Sequence, residues 1–384
     1  MKILLEGHRL ARTTDFGGID SYWHNLVPEM LRQCPDDMRF SLFTAFLNPK
    51  NAALVNRLRG QGAIAKHWWS SPDWLYAAAK FGARLEWFTG EHDLVHAPEP
   101  VFPLPTRGRL VVTAHDLMYL HHPQFLDPRW VARLQEGTTD LANRANYWIC
   151  VSEHTRNDLV KHYGVPHGRT CVVYHGIDES FRNAGEDATS VQRVRAKFNL
   201  TERPYFLFLG SVEPKKNLPM LLRSFGKALE AGLEADLAVA GRAGWQAQEV
   251  REVAESLPIL RDRLHFLGFV DQADLPPLLG GAKAMVTPSR YEGFGMPLIE
   301  AMAAGTVVLS SDRGALPEVG ADAAKFFSPD DVDALAELLQ VIDGDAALCE
   351  NLRSRGFERA ADFSWQQCAQ QTLAAYRTAA TLDR

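Results

Sequence analysis

Short apolar runs alternate with longer amphipathic stretches along the chain. The first apolar run, Lys2 to Glu6, is a predicted strand, and a helix is predicted after it from about Asp20 to Cys34, with Asp20 or Ser21 near its cap. Further strands of the first half are predicted at 39–46, 93–97, 110–114 and 147–151. This alternation of strands and helices is typical of an α/β fold.

The same alternation begins again in the second half, with strands predicted at 205–209, 236–240, 284–287 and 306–310. At 384 residues the chain is too long for one ordinary core and is expected to form two domains. The polar run from Arg182 to Ser190 fits a linker, which places the domains at 1–185 and 200–362. A last helix is predicted from Trp365 to about Arg377, within a C-terminal segment 363–384.

Composition narrows the class of protein. Hydrophobic residues make up 46% and charged residues 23% of the chain, as in ordinary globular proteins. The net charge of -6 argues against a nucleic-acid-binding protein, which usually carries a basic excess. Five scattered cysteines without metal-binding spacing favour a reduced cytoplasm over a disulfide framework. The N-terminus lacks the pattern of a signal peptide, and no apolar run approaches the roughly 18 residues of a membrane span.

The most informative stretch runs from Ser289 to Gly305. Gly293 and Gly295 predict a loop whose backbone can approach a ligand closely. A helix is predicted after the loop from Met296 to Ala304, with Pro297 in its first turn. The N–H groups at the start of that helix suit an anion such as a pyrophosphate.

Two glutamates flank this loop, Glu292 before the predicted helix and Glu300 about two turns along it. Carboxylates mostly accept hydrogen bonds, and sugar hydroxyls donate them. The glutamates are separated by seven residues that include Gly-Phe-Gly-Met-Pro, and Glu-Ala-Met-Ala-Ala-Gly ends the stretch. This pattern resembles the donor-site signature of retaining glycosyltransferases of the GT-B fold, and most closely that of glycosyltransferase family 4.

The resemblance implies two Rossmann-like domains that face each other across a cleft, with a C-terminal helix that crosses back to the first domain. It also implies that the second domain binds most of a nucleotide sugar. Glu292 would bind sugar hydroxyls and Glu300 the ribose diol. The residues between them that would contact the donor are Gly293, Phe294, Gly295 and Met296.

A second motif follows the predicted strand 110–114. His115-Asp116-Leu117 with Pro123-Gln124-Phe125 resembles a stretch of family members that act in bacterial polysaccharide assembly and often transfer mannose or rhamnose. A polar pair beyond the carboxyl end of a parallel strand lies where α/β sheets bind ligands. The resemblance implies that His115 contacts the donor sugar near its reacting carbon. His121 and His122 are interpreted as surface or acceptor-side residues.

Lys215 and Lys216 precede a helix predicted to begin near Asn217 or Leu218. Ammonium groups beside a helix start suit a phosphate. The segment resembles the family's Glu-Pro-Arg-Lys-Asn element, which implies that Lys216 binds the pyrophosphate. Many members carry an arginine where this chain has Ser211, so Lys215 or Arg242 is expected to contribute to the phosphate site.

Two further contacts with the donor are implied by the resemblance. The turn at Gly17 and Gly18 would lie against the pyrophosphate, and the backbone around Phe269 and Val270 would hold the nucleobase. The first turn lacks the Gly-x-Gly-x-x-Gly fingerprint, which argues against a nicotinamide cofactor.

Two segments leave alternatives open. The segment from Asp73 to Phe88 is predicted to be helical, and its aromatic and basic residues suit either a membrane interface or a core stripe with aromatic rings over a cleft. The stripe consists of Trp74, Ala78, Phe81, Leu85 and Phe88. Asp331-Val332-Asp333 matches an Asp-x-Asp metal motif, but acidic residues are also favourable in the first turn of a helix. No metal site is predicted.

The resemblance implies a retaining, metal-independent glycosyltransferase whose catalytic residues would be His115, Glu292 and Lys216. The expected reaction moves a sugar, with mannose or rhamnose on a GDP-linked donor favoured, to a glycan or lipid-linked oligosaccharide of bacterial surface polysaccharide. The expected location is the cytoplasm, with peripheral contact to the inner membrane as an open alternative. The alternative functions are a nucleotide-sugar 2-epimerase of the same architecture and a non-catalytic nucleotide-sugar or lipid-binding protein.

Overall fold

The computed structural model describes residues 1–8, 10, 17–45, 60, 64–68, 74, 77–78, 81–100, 104–200, 203–242, 244 and 247–382. The chain divides into two compact units, Met1–Gly176 with Trp365–Arg384, and Ile177–Ser364. Asn183 and Gly185 belong to the second unit, where their N–H groups donate to the carbonyls of Ala303 and Ala304.

The strands among the described residues are all parallel to their neighbours and fall into two sheets. In chain order they are β1 (Lys2–Glu6), β2 (Arg39–Ala45), β3 (Ile64–Trp68), β4 (Leu94–Ala97), β5 (Arg109–Ala114), β6 (Tyr147–Cys150), β7 (Thr170–Val172), β8 (Tyr205–Leu209), β9 (Asp236–Ala240), β10 (Leu264–Gly268), β11 (Ala284–Thr287), β12 (Val307–Ser311) and β13 (Ala324–Phe327).

Helices connect these strands, as parallel pairing requires. Those in the described part of the chain are α1 (Gly18–Arg32), α2 (Glu86–Thr89), α3 (Met118–His121), α4 (Pro128–Arg144), α5 (Glu153–Tyr163), α6 (Ala188–Lys197), α7 (Leu218–Glu230), α8 (Ala247–Ser256), α9 (Leu275–Gly280), α10 (Met296–Ala303), α11 (Leu316–Gly320), α12 (Val332–Gly344), α13 (Ala346–Ala361) and α14 (Trp365–Thr381).

The seven strands of the first unit lie in the order β3-β2-β1-β4-β5-β6-β7. Both faces of this sheet are covered, because Ile3 and Leu5 of β1 pack into one hydrophobic cluster and Leu4 packs into another. The first cluster includes the buried face of α1 and residues of α14. The C-terminal helix therefore completes the core of the first unit.

The six strands of the second unit lie in the order β10-β9-β8-β11-β12-β13. Helices α7, α8 and α12 contribute to one core cluster together with the central strands. Counted from its first strand, each sheet begins with the order 3-2-1-4-5-6, which is the doubly wound order of nucleotide-binding folds. The direction of strand addition reverses between β1 and β4 in one unit and between β8 and β11 in the other.

The first helix differs from its prediction at its start. It begins at Gly18, and Asp20 does not precede the helix but lies in its first turn, where its carboxylate accepts a hydrogen bond of 2.9 Å from the Gly17 N–H. Asp20 therefore caps the helix from inside the first turn.

The predicted helix from Asp73 to Phe88 lies largely outside the described residues. Where the segment is described, Trp74 is 54% and Phe81 is 90% exposed, whereas Leu85 is buried. Trp74, Ala77 and Ala78 are helical as predicted, but Gly82 has a φ of 85° and the next helix, α2, begins at Glu86. The interpretation of the whole stripe as core is therefore wrong for Trp74 and Phe81. Within the described residues no helix is both long and apolar enough to span a membrane.

Candidate functional site

The loops that follow β8 and β11 meet at the reversal point of the second sheet. These two strands are neighbours, with Ala284 beside Phe206 and Met285 beside Leu207. The Arg290 N–H donates to the Lys215 carbonyl at 2.7 Å and joins the two loops. Ligands of open α/β sheets bind at the carboxyl ends of strands at such a reversal point.

Lys216 lies at the end of a short 3-10 turn, Pro214–Lys216, after β8. Its side chain runs back over the end of that strand, since a Cβ atom placed on Gly210 would lie 3.5 Å from Lys216 Cε. Its Nζ donates to Glu292 Oε1 at 2.6 Å. The residue predicted to bind the pyrophosphate, Lys216, and the residue predicted to bind the sugar, Glu292, therefore contact each other directly.

Glu292 is held by three loops of the second unit. Besides Lys216, the Ser289 hydroxyl donates to the same Oε1 atom at 2.7 Å. The backbone carbonyl of Glu292 accepts from the Ala315 N–H at 2.9 Å. Gly314 lies so close that a Cβ atom on it would be 2.4 Å from that carbonyl oxygen, and its φ of 61° also favours glycine.

The ion pair keeps Glu292 charged despite its burial. Burial alone would raise the pKa of this carboxyl, but the positive charges of Lys216 and Lys215 and the two side-chain hydrogen bonds together lower the pKa below its ordinary value. The Lys216 ammonium and the Ser289 hydroxyl both donate to the same carboxylate oxygen, Oε1. The other oxygen, Oε2, accepts no hydrogen bond from the described residues and can accept from a ligand.

Glu300 has a different environment on α10. Burial and then the nearby negative charge of Asp178 raise the pKa of the Glu300 carboxyl to about 7. This carboxyl makes no hydrogen bond with any residue that the structure describes. Hydrogen-bond donors such as ribose hydroxyls would stabilise its ionised form.

The loop between these glutamates leads into α10 as predicted. Gly293 and Phe294 are buried, and Gly295 adopts a φ of 101° directly before the helix begins at Met296. Pro297 occupies the first turn, where its missing N–H removes no helical hydrogen bond. The first turn of the helix thus lies beside the loop that carries Glu292.

The other predicted residues of the second unit surround the ends of β8, β9 and β10. The hydroxyl of Ser211, which was also expected to contact the donor, donates to Glu213 Oε1 at 2.7 Å. The Arg242 guanidinium lies 4.7 Å from the ring centre of Phe269, which is 62% exposed. Val270 is buried. Arg242 and Phe269 therefore present a flat, positively charged and accessible surface.

In the first unit, Gly17 and Gly18 lie at the exposed start of α1. A Cβ atom on Gly18 would meet no described atom within 4 Å. The backbone of this turn is therefore open to close approach by a ligand. The turn precedes the helix that follows β1, and β1 lies at the reversal point of the sheet, where ligands of α/β folds bind.

His115 follows β5 in the same unit and lies within a group of rings. Its Nε2 lies 2.9 Å from the Pro98 carbonyl, which can only accept, so this nitrogen is the donor. The His115 ring packs edge-on against Tyr22 at 4.8 Å and lies 5.7 Å from His175. Trp365 of α14 lies 5.9 Å from the His175 ring.

Several residues that surround the two glutamates and His115 were not predicted as site residues from the sequence. Ser289, Gly314 and Asp178 define the surroundings of the two glutamates, and Tyr22 and Trp365 define those of His115. Each lies outside or at the edge of a motif, so only its position in space reveals its contact. Asp331 proves to be the cap of α12, where its carboxylate accepts from the Ala334 N–H at 2.9 Å.

Comparison with known proteins identifies the family. Residues 16–181 match the family described as Glycosyltransferase Family 4, and residues 190–359 match Glycosyl transferases group 1. O-antigen chain mannosyltransferase B of Escherichia coli is 31% identical over 283 residues, which cover 72% of this chain and 73% of that protein. The chain belongs to glycosyltransferase family 4, and it is a glycosyltransferase.

A second relative is also a mannosyltransferase, and a solved structure has the same fold. Serotype-specific mannosyltransferase WbdA of Escherichia coli is 26% identical over 295 residues, which cover 74% of this chain and 35% of that longer protein. The structure of Anabaena HepE in complex with UDP and glucose has a TM-score of 0.75 at 18% sequence identity, and the match covers 98% of this chain and 100% of that one. The predicted GT-B fold is confirmed.

Proposed function

We propose that the protein is a retaining, metal-independent glycosyltransferase that transfers mannose, or the related sugar rhamnose, from a nucleotide sugar. The observation that carries this proposal is the Lys216–Glu292 pair beside the start of α10, with Glu300 on the same helix. The relatives named as mannosyltransferases support the choice of sugar. The fold neighbour bound to UDP supports a nucleotide donor, and a GDP-linked donor is our first expectation.

Lys216 is proposed to bind the diphosphate of the donor. The ammonium supplies positive charge, and the nearby start of α10 supplies N–H donors. Because Lys216 already contacts Glu292, a diphosphate would share this ammonium with the carboxylate. Fixed positive charge also stabilises the negative charge that grows on a leaving diphosphate, so the chemistry requires no metal ion.

The two glutamates are proposed to hold different parts of the donor. Glu292 Oε1 is occupied by Lys216 and Ser289, which leaves Oε2 to accept from sugar hydroxyls. Glu300 is proposed to accept from the ribose diol. Phe269 and Val270 would lie at the nucleobase end, and Lys215 or Arg242 would contribute to the phosphate site.

His115 and the Gly17–Gly18 turn are proposed to take part from the first unit. His115 would orient the sugar, and the turn would contact the diphosphate. In the proposed step an acceptor hydroxyl bonds to the anomeric carbon from the side of the leaving group. The bond from that carbon to the diphosphate oxygen breaks, and a phosphate oxygen takes the proton of the acceptor.

A donor screen tests this proposal. Calorimetry would compare GDP, UDP, dTDP, ADP and their sugars in EDTA, with wild type, Lys216→Ala and Glu300→Ala. One nucleotide that binds the wild type and binds each variant at least about tenfold more weakly would support the site, since that ratio corresponds to a lost charged contact. Binding of no nucleotide, or equal binding to all three proteins, would overturn it.

Metal independence has its own test. Transfer from the donor found in the screen should continue at an undiminished rate in EDTA. Complete loss of transfer, restored by Mg²⁺, would contradict the assigned role of Lys216. Formation of a new nucleotide-sugar epimer without any acceptor would instead indicate an epimerase.

The proposed acceptor is a glycan or lipid-linked oligosaccharide of bacterial surface polysaccharide, reached from the cytoplasm with peripheral contact to the inner membrane. The O-antigen relative supports the pathway. Exposed aromatic rings support the membrane contact, since Phe81 is 90% and Trp87 is 69% exposed. Co-sedimentation with anionic liposomes at low salt tests this, with Phe81→Ser/Trp87→Ser as the comparison, and absence of co-sedimentation would contradict it.

A further inference from the structure

Two histidines and an aspartate converge in the first unit, away from the residues proposed to bind the donor. Asp158 and His162 lie four residues apart on α5 and therefore on one face of that helix. His121 ends α3, and its Nε2 lies 2.7 Å from Asp158 Oδ2. One ligand-capable atom from each of the three residues lies within 4.8 Å of the others.

A third histidine borders this group. His154 lies one turn before Asp158 on α5, and its Nε2 is 3.5 Å from the same Oδ2 atom. The ring of His121 lies 6.3 Å from that of His154 and 5.6 Å from that of His162. Three imidazoles therefore surround one carboxylate.

The three residues form a shallow site at the surface of the first unit. Asp158 is buried, while His121 and His162 are exposed at the rim. A hydrogen bond between His121 and Asp158 explains their close approach. His162 makes no hydrogen bond with any described residue, and its place one turn after Asp158 leaves its ring nitrogens beside the same carboxylate and available to a ligand.

We propose that His121, Asp158 and His162 bind one divalent transition-metal ion such as Zn²⁺ or Co²⁺. Imidazole nitrogens and a carboxylate oxygen are the usual protein ligands of these ions, and water would complete a tetrahedral site. The nitrogen ligands disfavour Ca²⁺ and Mg²⁺, which prefer oxygen.

The required adjustment is small. Ligand atoms about 2.0–2.2 Å from a tetrahedral zinc ion lie roughly 3.3–3.5 Å from one another. The 2.7 Å pair of His121 and Asp158 would open, and the His162 nitrogen, which lies within 4.8 Å of both partner atoms, would move in by at most about 1.5 Å. The exposed rings of His121 and His162 can make this change by side-chain rotation.

The ion would join α3 to α5. Because α3 begins three residues after His115, the bound ion would stabilise the segment that follows this residue. The ion is not part of the proposed transfer chemistry, so it is compatible with transfer in EDTA.

The test uses the full chain without an affinity tag, stripped with EDTA and then freed of chelator. Co²⁺ and Zn²⁺ would be titrated by calorimetry, with Co²⁺ absorbance as a direct report of coordination. The expected result is saturation at one ion per chain and a raised thermal midpoint. His121→Ala/His162→Ala should bind at least about tenfold more weakly, since even supporting residues of metal sites have effects of this size.

His167→Gln is the matched control, because this exposed histidine lies in the same unit but outside the cluster. It should bind the ion as the wild type does. Circular dichroism would confirm that each variant is folded. Non-saturating binding by the wild type, or equal affinity in the wild type and the double variant, would overturn the proposal.

Discussion

The two units have the same strand order around their reversal points but carry different chemistry there. The second unit gathers charged side chains, with Lys216 paired to Glu292 and with Glu300 close to Asp178. The first unit gathers rings, with Tyr22 packed against both His115 and His175. The strand order thus determines where a site lies, while the loop residues determine what the site can bind.

The difference extends to protonation. Burial holds the pKa of His175 well below its ordinary value and lowers that of His96 to about 3, so both rings are neutral near pH 7. Glu292 is also buried, but the positive charges of Lys216 and Lys215 lower its pKa, so it keeps its charge. In the proposed function, ionic contacts with the nucleotide sugar would therefore come from the second unit and neutral contacts from the first.

The largest expected effect comes from Lys216→Ala. It should reduce kcat by about 10³-fold, because it removes a fixed charge near the leaving group. It should also lower the free energy of unfolding by about 3 kcal/mol, because the buried carboxylate of Glu292 loses its ion-pair partner. Steady-state transfer assays and urea unfolding measure the two effects. Lys227→Ala is the control, because Lys227 lies in an exposed pair with Asp333, and it should change neither kcat nor the free energy of unfolding. A Lys216→Ala enzyme with wild-type activity would refute the ionic role of the second unit.

His115→Ala tests the first unit. The variant should lose about 10²-fold in kcat, since a residue that positions the sugar acts on the reacting centre. Its affinity for the bare nucleoside diphosphate should equal that of the wild type, because the second unit is expected to supply most of those contacts. Calorimetry and transfer assays separate the two. A large loss of nucleotide affinity with unchanged kcat would reverse the assignment.

Glu300→Gln probes the uncompensated carboxyl. The wild-type pKa is about 7 in the folded protein against an ordinary value of 4.5, so between these values the folded state holds more protons than the unfolded state. The free energy of unfolding should therefore fall as pH rises from about 4.5 to 7, by roughly 3 kcal/mol in all. Urea unfolding at pH 5 and pH 8 should show this fall in the wild type, and a smaller fall in the glutamine variant. Identical pH profiles of the unfolding free energy in the wild type and the glutamine variant would contradict the raised pKa of Glu300.

The smallest expected effect comes from the buried core of the first unit. Tyr376 of α14 lies 2.6 Å from His96 Nδ1, and both residues are buried. Tyr376→Phe should lower the free energy of unfolding by about 1–3 kcal/mol, because it removes the partner of a buried polar atom. Nucleotide affinity should not change. Arg377→Ala, at the neighbouring exposed position, is the control for urea unfolding and should lie within about 0.5 kcal/mol of the wild type.

Much of the fold was predictable because its signals are local. The strands at 205–209, 236–240 and 284–287 have the predicted ends, since buried parallel strands are continuous apolar runs between polar loops. The start of α10 after Gly295 was also predictable from the turn and the proline. The predicted helix from Asp73 depended on one apolar stripe, and that signal does not determine which residues become buried.

The sequence by itself determined the alternation of elements, the family signature and the chemical types of Lys216, Glu292, Glu300 and His115. These properties depend on neighbours along the chain or on the side chain alone. Only the tertiary structure decided that Lys216 and Glu292 are partners, since 76 positions separate them and two neighbouring strands bring their loops together. It also decided that burial raises the pKa of Glu300 to about 7 and that α14 completes the first core, because burial and long-range packing exist only in the folded chain.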